Sequence, residues 1–278
     1  MPLPMAVSIC VTDHCPLSCR HCLYLQACRL NKNMLAYRDL EPVLDEMQRS
    51  KVYLVPVTGG EPLVHPELLD ILRGISSRGM LPLMGTSGIG LKKGMAERFY
   101  EAGVRCIQVG LNGSRAEVSD PYRGPGTFVE AMGSVRLLQE AGINVNLAFC
   151  FDGSNFHDMR SCLELAYGAG AYRVKIEYWK DIGGGVLPPL TKEQRLRGRE
   201  VCSAYAARCG KPANWIDSPS AVFRVEGREG VAEIHNKSLV IDADGAVLRG
   251  ELSAPLGNIR KNTLAGCLAA AEKNAEEK

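Results

Sequence analysis

Three cysteines lie close together near the start of the chain, in the segment "CPLSCRHC". Cys15, Cys19 and Cys22 have the spacing CxxxCxxC, so their thiolates can reach one metal centre from a single short loop. A structural zinc site needs four ligands and usually two CxxC pairs, and no second pair follows at that distance. A [4Fe–4S] cluster held by three cysteines leaves one iron open for another ligand. The spacing therefore favours a reactive iron–sulfur centre.

Length and charge narrow the class of protein. The 278 residues are 46% hydrophobic, which is enough to bury the core of one large α/β domain, or of one with a small appendage. The net charge of +2 and the lack of a long basic run give no case for nucleic-acid binding. The start "MPLPMAVSIC" lacks the features of a secretory signal, and no apolar run is long enough for a membrane span. We expect a cytoplasmic protein that acts on neither nucleic acid nor membrane.

The other cysteines have a simpler interpretation. The chain contains 11 cysteines, and disulfides are disfavoured in a reducing compartment. Most of those outside the cluster stand in apolar runs such as "VRCIQVGL" at 104–111. They are expected to be small buried hydrophobic residues.

The hydrophobic pattern predicts the strands and helices that could position the cysteine loop. Six β-type runs with helical patterns between them predict βα units and a parallel sheet, either open or closed into a barrel. The cysteine loop follows the first run, at the carboxyl edge where such folds bind ligands. The six runs are 7–12, 52–57, 81–86, 104–111, 143–151 and 172–179.

The pattern changes after residue 180. A Gly/Pro-rich linker at 181–190 precedes a helical pattern at 191–210 and a hairpin signal with its turn at Asp244-Gly245. A terminal helical pattern covers 263–278. We therefore predict two domains, residues 1–180 and 181–278, with the second a small α+β element leaning on the first.

Three further segments stand at the ends of the second, third and fourth predicted strands, and a fourth comes later in the chain. They are "TGGEP" (58–62), "GTSG" (85–88), "QVGLNG" (108–113) and "DPYRGPGTF" (120–128). Together with CxxxCxxC, this series resembles the radical S-adenosylmethionine (SAM) enzymes. The resemblance implies a partial (β/α)6 TIM-like barrel carrying a [4Fe–4S] cluster whose open iron binds SAM. Reduction then cleaves SAM to methionine and a 5′-deoxyadenosyl radical, which abstracts a hydrogen atom.

The resemblance also assigns individual residues. Cys15, Cys19 and Cys22 become the cluster ligands. For Arg123, the alternative to a role in binding SAM is that of a solvated charge in a loop. Ser87 and Asn112 differ from the Asn and Asp that the family usually has at these two positions. The residues assigned to SAM are His21 near the adenine, Gly59, Gly60 and Glu61 at the amino group, Ser87 in "GTSG", Gln108 or Gly110 with Asn112 near the ribose, and Arg123 at the carboxylate.

The C-terminal segment resembles the SPASM or twitch extension of this family. It keeps Asp242, Gly245 and "LGNI" (256–259), but has "LRGE" where the extension carries a cluster-binding cysteine. An auxiliary cluster needs several cysteines, and those available do not match its spacing. We predict a twitch-like cap without an auxiliary cluster, hence one [4Fe–4S] cluster in all.

The substrate is less defined than the cofactors. The preferred hypothesis is hydrogen abstraction from a polar small molecule or peptide in natural-product biosynthesis, giving epimerisation, dehydrogenation, rearrangement or C–C bond chemistry. An electron donor such as flavodoxin or ferredoxin is implied. Cys209 and Cys267 are candidate hydrogen donors, although core packing is the simpler role for each.

Two alternatives stay open. One is a leader-dependent peptide maturase with a separate recognition partner. The first motif strand starts within ten residues, so we expect no leader-binding domain before it, which weakens this alternative without excluding it. The other is a non-enzymatic iron–sulfur or zinc-binding scaffold.

Overall fold

A ten-stranded mixed sheet forms the centre of the protein. The computed structural model describes residues 3–26, 32–182, 186–217, 239–250 and 253–276. The strand order is β10-β9-β8-β1-β2-β3-β4-β5-β6-β7. The strands are β1 Val7–Thr12, β2 Leu54–Gly59, β3 Leu81–Thr86, β4 Cys106–Leu111, β5 Asn144–Phe151, β6 Arg173–Tyr178, β7 Ile216–Asp217, β8 Leu239–Ile241, β9 Ala246–Arg249 and β10 Pro255–Asn258.

Helices connect the parallel strands. All neighbouring pairs from β8 through β1 to β7 are parallel, so a crossover must lie between strands that follow one another in the chain. The helices are α1 Leu23–Gln26, α2 Tyr37–Arg49, α3 Leu68–Ser76, α4 Met95–Glu101, α5 Ala116–Arg123, α6 Thr127–Glu140, α7 Met159–Gly168, α8 Lys192–Arg208 and α9 Leu264–Glu276. The six predicted strands and the parallel βα architecture are confirmed. None of these helices is long and apolar enough to cross a bilayer.

The two faces of the sheet differ in chemistry because strand side chains alternate between them. On the outer face, residues such as Val57, Ile107 and Ile176 are buried in one core with side chains of the helices. We call the opposite face the inner face. From β2 to β6 most of its residues, among them Gly85 and Gln108, are only partly buried. The helix layer therefore supplies stability, and the inner face is left open.

The predicted C-terminal hairpin is confirmed and extends the same sheet. β8 pairs antiparallel with β9 and parallel with β1, and Gly245 makes the turn with a φ of 85°. The Glu46 carboxylate accepts hydrogen bonds from the backbone N–H groups of Leu264 and Ala265, at 2.9 and 2.8 Å. These bonds hold the start of α9 on α2, because first-turn N–H groups of a helix have no partner within it. The strands after residue 180 thus continue the first region's sheet, and a domain boundary there stays a prediction.

Parts of the sequence interpretation fall outside the described residues. They are 183–185 of the predicted linker and Glu251 of "LRGE".

Candidate active site

The cysteine loop leaves the carboxyl end of β1 and is anchored at its base. The Asn33 backbone N–H and side-chain amide both donate to the Asp13 carboxylate, at 2.6 and 2.8 Å. The Thr12 hydroxyl donates to the Asn33 carbonyl at 2.8 Å and accepts from the His14 N–H at 3.0 Å. These buried polar contacts fix where the loop begins, just before Cys15.

The thiols of the cysteine loop are shielded from water to different degrees, since Cys19 is buried whereas Cys15 and Cys22 are half-buried. Burial raises the pKa of Cys15 to about 11 and also raises the pKa of Cys19. Each of these thiols is further disfavoured as a thiolate by the negative charge that its cysteine neighbours would carry. A bound iron centre would relieve this repulsion.

The donor set is compatible with a cluster rather than a single ion. Within the described chain, no three His, Cys, Asp or Glu side chains are placed around one metal ion. In a [4Fe–4S] cluster each cysteine binds its own iron, so the three thiols need not meet at one point.

The glycine pair at the end of β2, Gly59 and Gly60, allows the cysteine loop to lie directly against this strand end. The Gly60 N–H donates to the Thr12 carbonyl at 2.7 Å, and the Glu61 N–H donates to the His14 carbonyl at 2.9 Å. Gly59 has a φ of 145°, and a Cβ on Gly60 would overlap the His14 carbonyl. Only glycine fits this approach without displacing the loop.

The Glu61 carboxylate is fully buried and joins two site loops. Oε1 accepts from the Leu63 N–H at 3.1 Å and the Thr86 hydroxyl at 2.6 Å. Oε2 accepts from the N–H and the hydroxyl of Ser87, at 2.7 and 2.5 Å. Because these bonds use about all four acceptor positions, Glu61 holds Ser87 in place. A direct bond from Glu61 to an ammonium group stays a prediction, and it would have to replace one of them.

Replacing Glu61 with glutamine is expected to destabilise the fold. An NH₂ group would face donors where an oxygen now accepts, leaving buried donors unpaired. We expect the free energy of unfolding to fall by about 1–3 kcal/mol, measured by urea denaturation of the metal-free protein. The matched change Glu97→Gln on exposed α4 should leave stability nearly unchanged. Equal effects of the two changes would contradict this role.

Arg123 ends α5 and lies across the inner face. Its Nε donates to Asn112 Oδ1 at 2.6 Å, and its Nη2 is 3.5 Å from His21 Nε2. A Cβ on Gly110 would lie only 2.7 Å from Nη2, so the missing side chain of β4 makes room for the guanidinium.

The charge of Arg123 is not paired with a carboxylate. No side chain of the described residues forms an ion pair with it. The ionisable groups around it are the thiols of Cys15, Cys19 and Cys150 together with Glu61. Burial lowers the pKa of Arg123, as it does for any cation without a counter-ion. A buried guanidinium that forms no ion pair within the described residues indicates a ligand with negative charge.

His21 and Asn112 surround this guanidinium. Burial and the Arg123 charge lower the pKa of His21 to about 3, so its ring is neutral at physiological pH. The buried His21 Nδ1 has no hydrogen-bond partner among the described residues. Asn112 is also buried, and its side-chain N–H donates to the Cys150 carbonyl at 3.2 Å. Asn112 thereby holds Arg123 between the cysteine loop and the end of β5.

Asp120 holds the connection between α5, which carries Arg123, and α6. Its role was not among the roles predicted from the sequence. Its carboxylate accepts from the Gly126 N–H at 2.7 Å, the Phe128 N–H at 2.9 Å and the Thr127 hydroxyl at 3.1 Å. It therefore satisfies first-turn N–H groups of α6. An acidic residue six positions before a Gly-Thr helix start is the signal that could have revealed it.

The structure brings most of the predicted site residues to the carboxyl edge of the sheet, but not all of them. Gln108 lies on the inner face of β4, below Gly110. Cys267 is buried in the outer core, and Cys209 directly follows α8 and packs against the same core. Neither cysteine reaches the site around Arg123. Their packing matches the simpler of the two roles considered for them, and hydrogen donation by either one stays a prediction.

These residues fit a cluster with bound SAM. Three thiols lie in one loop, a glycine pair brings the backbone close to it, and Arg123 offers an unpaired positive charge to a carboxylate. The unpartnered His21 Nδ1 offers one more polar contact.

Sequence and structure comparisons agree with this geometry. The PqqA peptide cyclase of Ruegeria pomeroyi is 26% identical over 261 residues, covering 89% of this chain and 68% of that protein. The AdoMet-dependent heme synthase of Methanosarcina barkeri is 27% identical over 174 residues, covering 62% of this chain and 50% of that protein. Streptococcus suis SuiB bound to precursor peptide SuiA shares the fold, with a TM-score of 0.79 and 14% identity over 95% of this chain and 64% of that one.

This chain spans between half and about two thirds of the length of these proteins. The model of the Radical SAM superfamily matches residues 9–166, more than half of the chain. The chain therefore belongs to the radical SAM superfamily, whose enzymes use a [4Fe–4S] cluster and S-adenosylmethionine.

Proposed function

We propose that this protein uses SAM and a cluster held by Cys15, Cys19 and Cys22 to abstract a hydrogen atom from a peptide. When bound, the reduced cluster and SAM together supply the radical that abstracts hydrogen. The observation that carries the proposal is Arg123, a guanidinium without a carboxylate partner between the cysteine loop and the open inner face. Its position near Cys15 and Cys19 supports a contact with an anionic group of a ligand bound at the cysteine loop. Membership of an enzyme family argues against the scaffold alternative.

The chain's own residues divide the work of binding. Gly59 and Gly60 let the cysteine loop lie against the end of β2, and we expect the amino group of SAM to meet backbone carbonyls at this junction. Arg123 pairs with the SAM carboxylate through the guanidinium nitrogens that its Nε bond to Asn112 leaves available. Neutral His21 lies beside the Tyr122 ring, with the ring centroids 6.5 Å apart, and offers a surface for the adenine.

The peptide substrate is supported by the comparisons. The PqqA peptide cyclase is named for a peptide, and SuiB was solved with its precursor peptide. The heme synthase is named for a tetrapyrrole instead. We therefore propose peptide modification as the function. We further propose a flavodoxin or ferredoxin as the electron donor and the cytoplasm as the location.

Anaerobic reconstitution tests the proposal. The protein is loaded with iron and sulfide, mixed with SAM and dithionite, and examined for 5′-deoxyadenosine by mass spectrometry. We expect 5′-deoxyadenosine together with about four irons per chain, as three cluster cysteines imply. A fully loaded protein that forms no 5′-deoxyadenosine would contradict the proposed function. About eight irons would contradict the absence of an auxiliary cluster.

A further inference from the structure

The inner face of the sheet has an apolar half and a polar half. On β2 and β3 its residues include Leu54, Pro56, Leu81 and Leu83, and Gly85 completes this half. A Cβ on Gly85 would meet only the Thr58 hydroxyl, at 3.9 Å, so the space above it is open. From β4 to β6 the inner residues are mostly polar. We call Gln108, Asn146, Lys175 and Glu177 the polar wall.

Strand register places the polar wall on successive levels. Gln108 is the direct neighbour of Asn146, one level below the Gly110, Ala148 and Lys175 row. Glu177 lies a further level up, beside Cys150 and nearest the cysteine loop. All four wall residues are partly exposed. The interior of a closed barrel is normally filled by branched apolar side chains, so packing does not account for this wall.

The lower level of the wall contains an unused acceptor. The Asn146 side chain lies close to the Cys106 thiol, and its buried Oδ1 has no hydrogen-bond partner among the described residues. Such an atom costs stability unless a ligand or water pairs with it. Beside it, the Gln108 amide can both donate and accept. Two neighbouring carboxamides suit the N–H and C=O groups of a peptide.

The upper levels carry opposite charges. Lys175 Nζ is 2.6 Å from Glu177 Oε1, and the two side chains are 34% and 46% exposed. Arg173 and Asp217 flank Lys175 on the same face. A half-exposed ion pair adds little to folding, so it can exchange its partner for a charged ligand. A flat, largely apolar macrocycle would leave these charges and the two amides without partners.

We propose that the polar wall is the substrate-binding surface and selects a peptide segment with an acidic and a basic side chain. The acidic group lies deeper, at Lys175, and the basic group lies toward the cysteine loop, at Glu177. The peptide's amide groups pair with Gln108 and Asn146. This inference rests on the proposed function, because it names the substrate class of the same site.

A charge swap tests this assignment. The probe is a display library of linear peptides with randomised positions, selected against the cluster-loaded protein with SAM. The variant Lys175→Glu with Glu177→Lys keeps an opposite-charge pair two residues apart. We expect wild type to enrich peptides with both charges, and the swap to enrich the reverse charge order. A wild-type-selected peptide should bind the swap about tenfold more weakly by fluorescence polarisation.

The matched control swaps an exposed ion pair on the outer helix α7. Arg160→Glu with Glu164→Arg reverses a 3.2 Å pair far from the inner face and should enrich the wild-type sequences. Asn146→Ala is a second variant, independent of charge, and should weaken the same peptide about tenfold by removing its acceptor.

Several results would overturn the inference. They are an unchanged charge order in the swap, unchanged binding to Asn146→Ala, enrichment of apolar peptides, and no enrichment at all. Haemin serves as the tetrapyrrole probe, and its tight binding with displacement of the selected peptide would also overturn it. 5′-Deoxyadenosine formation by the same preparations keeps the two claims apart. If it persists while charged peptides fail to bind, the substrate assignment is wrong and the proposed radical chemistry stands.

Discussion

Replacing Cys19 with serine is expected to abolish cluster binding and to lower 5′-deoxyadenosine formation by at least about a hundredfold. Cys19 is the most buried of the three loop cysteines, and a neutral hydroxyl cannot replace its thiolate as an iron ligand. The two remaining thiols would leave a second iron without a protein ligand. The measurement is the iron and sulfide content after anaerobic reconstitution, followed by product analysis. Cys15→Ser and Cys22→Ser should give the same result.

Cys202→Ala provides the matched control for this prediction. Cys202 is buried in α8, in the outer core, and no part of the cysteine loop depends on it. We expect a slightly less stable protein with normal iron content. Normal iron content in Cys19→Ser would show that the cluster is held elsewhere, and would refute the ligand assignment.

The sheet could be predicted because its strands carry strong local signals. β4 is an example, with Ile107 and Val109 facing the outer core and Gln108 facing inward, the alternation that the pleat imposes. β7 and β10 were not predicted. β7 has only two residues, and β10 begins at Pro255 and contains a glycine, so neither shows a β-type pattern.

The position of Arg123 could not be predicted from the sequence in the same way. Its two interpretations, a SAM ligand and a solvated loop charge, differ only in where α5 directs the side chain. That direction depends on the Asp120 contacts with the start of α6 and on the empty position at Gly110. Contacts between separate segments arise from tertiary packing and leave no periodic signal in the chain.

The hydrogen-donor candidates show the same limit. The sequence indicated that Cys209 and Cys267 are thiols, but not which side of the sheet they occupy. The structure places both against the outer core, whereas Cys150 lies on the inner face, where Arg123 and Glu177 are among the charges around its thiol. The alternation of side chains within β5 indicates that Cys150 lies on the face opposite to Phe149 and Phe151. This becomes a prediction about the site only once it is known which face of the sheet is the inner face.

Replacing Gly110 with alanine is expected to weaken SAM binding about tenfold while the fold persists. The new Cβ would lie 2.7 Å from Arg123 Nη2, so the guanidinium must leave the inner face and strain its 2.6 Å bond to Asn112. The displaced atoms belong to the end of a flexible side chain, so the backbone need not move. Losing a charge-assisted contact to a carboxylate accounts for a tenfold change. Titration of SAM into the cluster-loaded protein measures it.

A double-mutant cycle shows whether Arg123 mediates this effect. In an Arg123→Met background the guanidinium is already absent, so adding Gly110→Ala should change SAM affinity little further. Gly133→Ala on α6, where a Cβ meets nothing within 4 Å, is the control for adding a methyl group and should bind SAM normally. If Gly110→Ala weakens binding equally with and without Arg123, the glycine acts through another contact. The claim that Gly110 determines the position of Arg123 would then be wrong.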